Sequence, residues 1–168
     1  MNPVSMAESI IEAISGIDVP DAAMNTFYTA LCIYVETNAE VFYSWSATNP
    51  FAVPDPVTLL ECKIKTTGFL VPSGMSTPRE ALDELSAKLN INASMWKVVW
   101  PPEFSISPAF IIPTIHITPS MKDTQLDAWV AVCTQIIEGI KKATPGPLSG
   151  EHEEYKIPTP GASFIKIL

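Results

Sequence analysis

Apolar residues recur at three- and four-residue intervals in four stretches of the chain, and each stretch begins with a recognisable helix start. Met6, Ile10, Ile11 and Ile14 fall on one face behind Ser5-Met6-Ala7-Glu8, a capping box in which the serine hydroxyl accepts from the Glu8 amide and the glutamate reaches back. Gly16 closes that helix. A second helix starts near Asp18-Val19-Pro20-Asp21, where proline suits the first turn and the carboxylates face the positive end of the dipole. Its stripe of Met24, Phe27, Tyr28, Leu31, Tyr34 and Val35 is wide enough to make it the central helix. Thr77-Pro78-Arg79-Glu80 combines cap, first-turn proline and reciprocal glutamate ahead of Leu82, Leu85 and Leu89, predicting a helix from about Pro78 to Leu89. The last helix follows Ser120-Met121-Lys122-Asp123 and carries Leu126, Trp129, Val130, Cys133, Ile136, Ile137 and Ile140. Lys141 and Lys142 suit its negative end, and Thr144-Pro145-Gly146-Pro147 stops it.

Strand character appears between the helices. Across Val57 to Phe69, β-branched residues accompany an alternation of Leu60, Cys62 and Ile64 with Glu61, Lys63 and Lys65, the pattern of a half-buried strand. Trp96 to Trp100 is a short candidate. Phe110-Ile111-Ile112 with Ile115-His116-Ile117 is another, and Pro113 assigns it to an edge strand or an extended arm. Ser163 to Leu168 is an apolar tail of strand length, expected to pair with its own sheet or with a neighbouring chain. Pro101, Pro102, Pro108, Pro113 and Pro119 make residues 101–119 extended and semi-rigid, and Pro50, Pro54 and Pro56 do the same before the first strand. Thr144 to Gly161, with four further prolines, reads as a surface loop ahead of the tail. The expectation is one α+β domain over residues 1–168, with about four helices on a small, mainly antiparallel sheet.

Composition narrows the partners. The 168 residues carry 18 acidic against 10 basic side chains, a net charge of -8, which argues against a nucleic-acid backbone as partner. Only 17% of residues are charged while 47% are hydrophobic, so much of the surface is neutral or apolar and part of it is expected to meet another protein. Met1 to Gly16 lacks Lys and Arg and interrupts its isoleucines with Glu8, Ser9 and Glu12, so it reads as a soluble helix and not a signal peptide. Apolar stretches are broken by Glu, Asp or Pro well short of the ~20 residues of a membrane span.

Candidate chemistry is sparse. Cys32, Cys62 and Cys133 lie far apart without metal-ligand spacing and read as reduced core residues; Cys62 alone adjoins a basic residue, Lys63. Asn92-Ala93-Ser94 matches the glycosylation acceptor by chance. His116, between Ile115 and Ile117, reads as a structural histidine. His152, in Gly150-Glu151-His152-Glu153-Glu154, reads as part of a solvated acidic loop, with a cation site as the sharper alternative. Neither a nucleophile elbow nor a phosphate-cradling glycine motif is present, Asp83 and Glu84 read as solubilising surface, and no cofactor is implied. Trp45, Trp96, Trp100 and Trp129 fit cores and protein interfaces better than a ligand groove.

The helix pair ending in Ala22 to Val41, with Phe27, Ala30, Leu31 and Tyr34, then Pro54-Asp55-Pro56 leading a strand, resembles the small virion structural proteins of tailed bacteriophages. So does the helix from Asp123 to Lys142 running into Pro145-Gly146-Pro147, Ser149-Gly150-Glu151-His152 and an apolar terminal segment. The likeness is one of layout over most of the chain, carries over no catalytic or binding residue, and departs from the glycine-rich habit of such proteins in its prolines and tryptophans. It implies a non-enzymatic subunit near the neck, tail or baseplate, assembled in the host cytoplasm and partnered by copies of itself and other virion proteins. The interface residues expected from the apolar pattern are Trp96, Trp100, Phe110, Ile112, Ile115, Ile117, Phe164, Ile165, Ile167 and Leu168, with 110–117 and 164–168 as strands that could augment a partner's sheet. Two alternatives stand beside it: an enzyme or ligand-binding domain with His116, Glu61 and a tryptophan in one pocket, and a regulatory or chaperone-like interaction protein.

Overall fold

A first-turn proline, a capping side chain or both mark where each helix begins. In a computed structural model of the chain, residues 1–45, 58–66, 78–99, 110–111, 113–118, 122–145, 148–152 and 157–168 are described. The first helix, α1 (Pro3–Ile14), starts ahead of the Ser5 box, because Asn2 is the cap: its Oδ1 accepts from the amides of Val4 (2.8 Å) and Ser5 (3.4 Å), and Pro3 fills the first helical position. Ser5 lies within the helix, and its carbonyl accepts from the Ser9 hydroxyl. Gly16 follows with φ 77°, the left-handed geometry that glycine adopts without strain. The second helix, α2 (Pro20–Asn38), starts where expected and buries Phe27, Tyr28, Leu31, Tyr34 and Val35. The Tyr34 hydroxyl accepts from the Asn2 amide at 3.0 Å and donates to its carbonyl at 2.9 Å, tying the end of α2 to the start of α1.

The α2 helix stops at Asn38 and does not run to Val41; β1 (Glu40–Trp45) follows at once. This strand was not expected from the sequence, yet it is internal to the sheet. It pairs antiparallel with β2 (Thr58–Lys65) in the register Val41↔Cys62 and with β7 (Ile157–Ile167) in the register Val41↔Ile167. With β3 (Lys97–Val99) and β6 (Leu148–His152) the order is β3-β2-β1-β7-β6, all antiparallel, while β4 (Phe110–Ile111) and β5 (Thr144–Pro145) form a separate two-stranded ladder. Between them lie α3 (Pro78–Ala93), one turn longer than expected, and α4 (Gln125–Lys141). The cap of α4 is Thr124, whose Oγ1 accepts from the Asp127 amide (3.1 Å) and donates to the Asp127 carboxylate (2.7 Å). The result is an α+β fold of four helices and an antiparallel sheet among the described residues.

The loop expected over Thr144 to Gly161 is instead mostly strand: β5, β6 and the first half of β7. Prolines fit there because β7 is paired along one side at a time, with β6 over residues 157–162 and with β1 from Ser163 onward. At Pro158 and Pro160 it is paired with β6 alone, and Pro160 lies where the β6–β7 register shifts. The 163–168 tail zips onto β1, and Leu168 and Glu40 exchange backbone hydrogen bonds of 2.9 and 3.3 Å. The arm expected at 101–119 lies outside the described residues except for 110–111 and 113–118.

Val41, Cys62, Ile64, Val98 and Ile167 point to the inner side of the sheet and are buried with stripes from all four helices in one core. The α1 helix packs between α2 and α4, α2 lies on β2 and α4 against β7. Across this layer the rings of Phe27 and Trp129 meet at 5.3 Å and 32°. Leu126, expected on the α4 stripe, is exposed at 38%. Each fully buried Ile or Leu here is worth roughly 1.5–3 kcal/mol.

Residues 115–118 are not a strand. They thread between α3 and α4, laced by helix side chains. Asn90 Oδ1 accepts from the Ile115 amide (2.9 Å) and its Nδ2 donates to the Ile115 carbonyl (3.2 Å); Ser86 Oγ accepts from the Ile117 amide (3.1 Å). From the other side Gln135 Oε1 accepts from the Thr118 amide (2.9 Å) and its Nε2 donates to the Thr118 carbonyl (3.2 Å). Ile115 lies so close to Gly139 of α4 that a β-carbon there would come within 2.8 Å of its Cδ1.

Two stability predictions follow from this strap. Alanine at position 139 improves helix propensity by about 1 kcal/mol but overpacks a pinned, buried Ile115, so Gly139→Ala is expected to lower stability by about 1–2 kcal/mol in urea unfolding; a more stable variant defeats this account. Asn90→Ala strands an amide and a carbonyl and is expected to cost about 2 kcal/mol or more, whereas a loss under about 0.5 kcal/mol would mean the strap is held by its isoleucines alone.

Candidate functional site

Trp96, Ile115, Ile117 and Ile167 are each no more than 4% exposed. They serve the chain's own core, and as surface contacts for another chain they are corrected. Trp96 is placed by the end of α3, its amide donating to the Ala93 carbonyl, and its ring lies beside the Tyr28 hydroxyl of α2. The 164–168 segment pairs with β1 along one of its two edges. Phe164 stands opposite Tyr43 and Phe110 opposite Pro145 in their ladders, and Trp100 and Ile112 lie outside the described residues. Ile165 and Leu168 remain exposed, at 46% and 40%. The exposed hydrophobic residues that sequence reasoning missed sit on helices: Val4 on α1, Ile33 on α2, Ile91 on α3, with Val19 and Met95 at helix ends. For Val4, Ile33 and Ile91 the signal was there, because each falls off its helix's core stripe.

The outer face of the sheet alternates with the buried one. It presents Glu40 and Phe42 from β1, Glu61, Lys63 and Lys65 from β2, Lys97 from β3 and Lys166 from β7. Four of the chain's 10 basic residues are therefore on one surface of a chain with net charge -8. Lys63 lies 3.8 Å from Glu40 and 3.7 Å from Glu61, and the Lys166 ammonium sits 5.4 Å from the centre of the Phe42 ring. Lys65 and Lys97 are directly opposite in the β2–β3 ladder, a like-charge pair that disfavours the ladder it sits in.

On the other side, α2 presents a polar line at four-residue spacing. Glu36 accepts from the Thr66 amide (2.7 Å) and hydroxyl (2.6 Å) at the end of β2, and Cys32 and Tyr28 follow inward. Burial raises the Tyr28 and Cys32 pKa values; it pushes the Cys62 thiol, helped by Glu61, from 9.0 to about 11 and Cys133 to about 12. All three cysteines are free thiols. Thiols raised in this way are poor nucleophiles at neutral pH.

His116 and Glu61 are both exposed, and Ile115 and Ile117 on either side of the histidine are buried. His152 belongs to β6, and the loop assigned to it is replaced by that strand. Asn92 is buried at the end of α3, so the glycosylation pattern is sterically closed. Among the described residues no group of three or more His, Cys, Asp or Glu is placed to hold a metal ion, and no helix is long and apolar enough to cross a membrane.

No protein-family model, curated protein or solved structure matches the chain.

The thiols give a pH prediction. Their folded pKa values lie above the ordinary 9.0, so the stability they contribute is complete below about pH 9 and is lost as pH rises through about 11 to 12, where the unfolded chain has released protons the folded chain retains. The urea midpoint should fall between pH 8 and pH 10.5, and Ellman's reagent should titrate Cys62 and Cys133 only after unfolding. A midpoint that holds or rises, or rapid labelling of both in the folded chain, contradicts the burial.

Proposed function

We propose that this chain is a non-enzymatic structural subunit of a tailed-bacteriophage particle, positioned in the neck, tail or baseplate and acting through protein–protein interfaces. It meets copies of itself and neighbouring virion proteins, and is assembled in the host cytoplasm. The observation that carries this reading is the apolar surface left outside the core: Ile91 is 62% exposed, Ile33 61% and Val19 60%, on a chain of which only 17% of residues are charged. Residues of this kind cost little singly, but several of them on a weakly charged surface are what a permanently covered interface uses. The layout likeness to small virion proteins supports the reading. So does the placement of the chain's thiols, each deprived of the electropositive, open surroundings that nucleophilic chemistry needs.

The test is quantitative mass spectrometry of gradient-purified particles from cells that carry the gene. The chain is expected at a fixed copy number relative to the other structural proteins through successive gradients. Its loss from the particles while it remains in the lysate would overturn the assignment.

A further inference from the structure

Two surfaces of opposite character lie on opposite layers of the fold. Residues 1–62 contain eight acids and no Lys or Arg. Of those acids Glu8, Glu12, Asp18 and Asp21 are exposed on the helical layer, while Glu40 and Glu61 lie on the outer face of the sheet. Val4, Glu8 and Glu12 recur at four-residue spacing on α1, away from the buried Met6, Ala7 and Ile10. The stripe continues through the turn to Asp18, the 60% exposed Val19, and Asp21. This strip is acidic with apolar interruptions.

The outer sheet face is its counterpart, with Lys63, Lys65, Lys97 and Lys166 around Phe42. Lys63 has Glu40 and Glu61 within 4 Å, but Lys65 and Lys97 face each other across the ladder. A like-charge pair opposed in this way costs stability in the isolated chain, and an incoming carboxylate removes the cost.

We propose that the acidic strip of α1 and the α1–α2 turn docks on the lysine face of a second copy of this chain, head to tail. The α1 strip belongs to the helical layer and the lysines to the far side of the sheet, so one copy cannot join its own two surfaces. A contact between unlike surfaces is heterologous, and repetition of it builds a ring or an open stack. The net charge of -8 on each copy does not prevent this: at physiological salt the Debye length is about 8 Å, so distant charges are screened while pairs in contact are not. The inference deepens the structural-subunit reading and rests on it for its biological setting, although the contact itself is a property of the purified chain.

The experiment uses two charge-reversed variants of the full chain, Lys65→Glu with Lys97→Glu and Glu8→Lys with Glu12→Lys, each checked for a native circular dichroism spectrum. All four positions are at the surface, so folding should survive. Sedimentation velocity is expected to show self-association of the unaltered chain and weakening by about tenfold or more in each variant alone. An equimolar mixture of the two is expected to regain assembly, because each then offers the other an oppositely charged surface. The proposal is overturned if the unaltered chain stays monomeric, if either variant assembles like it, if the mixture assembles no better than its parts, or if the lysine face of a monomer binds DNA instead. Presence in purified particles with no response to charge reversal would sink this contact and leave the structural role standing. Rescue in the mixture with absence from particles would do the reverse.

Discussion

The backbone of residues 115–118 lies between two helices without a strand beside it among the described residues, and its polar groups are paired by Ser86, Asn90 and Gln135. Much of the packing rests on that substitution. A buried amide left unpaired costs about as much as a well-packed isoleucine gains, so Ile115 and Ile117 can enter the core only because the Asn90 amide and the Ser86 hydroxyl take the place of a ladder. Once seated, Ile115 sets the surface of α4 at Gly139, and α4 in turn packs α1 and β7. The same device recurs at Thr66, paired by Glu36, and at Asn2, paired by Tyr34. In each case a helix side chain supplies the partner that regular secondary structure does not.

Helix positions were largely legible because they depend on local chemistry. The α2 stripe and the Pro78 start appear as read, and where the starts of α1 and α4 moved they moved to a better local cap: Asn2 with Pro3 in place of Ser5, Thr124 with Asp127 in place of Ser120. The alternation of Cys62 and Ile64 with lysines also correctly placed β2. The strands of the far half were not legible, for a physical reason. Glu40–Trp45 follows a helix without a turn signal, and Leu148–His152 and the start of β7 carry proline and glycine against strand propensity; their pairing partners, distant in sequence, decide the matter.

The candidate interface residues show the same limit in another form. Apolar runs mark what must be covered but not by what, and here Trp96, Ile115, Ile117 and Ile167 are covered by the chain itself. The informative signal was the reverse one, apolar residues that break a polar face, as Ile33 and Ile91 do, and charges that segregate by layer. A cross-strand lysine pair has no sequence signature, since Lys65 and Lys97 become neighbours only through the β2–β3 register.

Because β7 inserts between β1 and β6, the sheet joins residues from opposite ends of the chain, Val41 with Ile167. Sequence separation of that size makes closure slow, since the loop entropy is spent before the ladder returns anything. Until β7 arrives, β1 keeps an open edge beside the apolar Val41, which is also the state most able to accept the corresponding strand of another molecule. Completion of the β1 edge therefore waits on β7, a strand far removed from it in sequence.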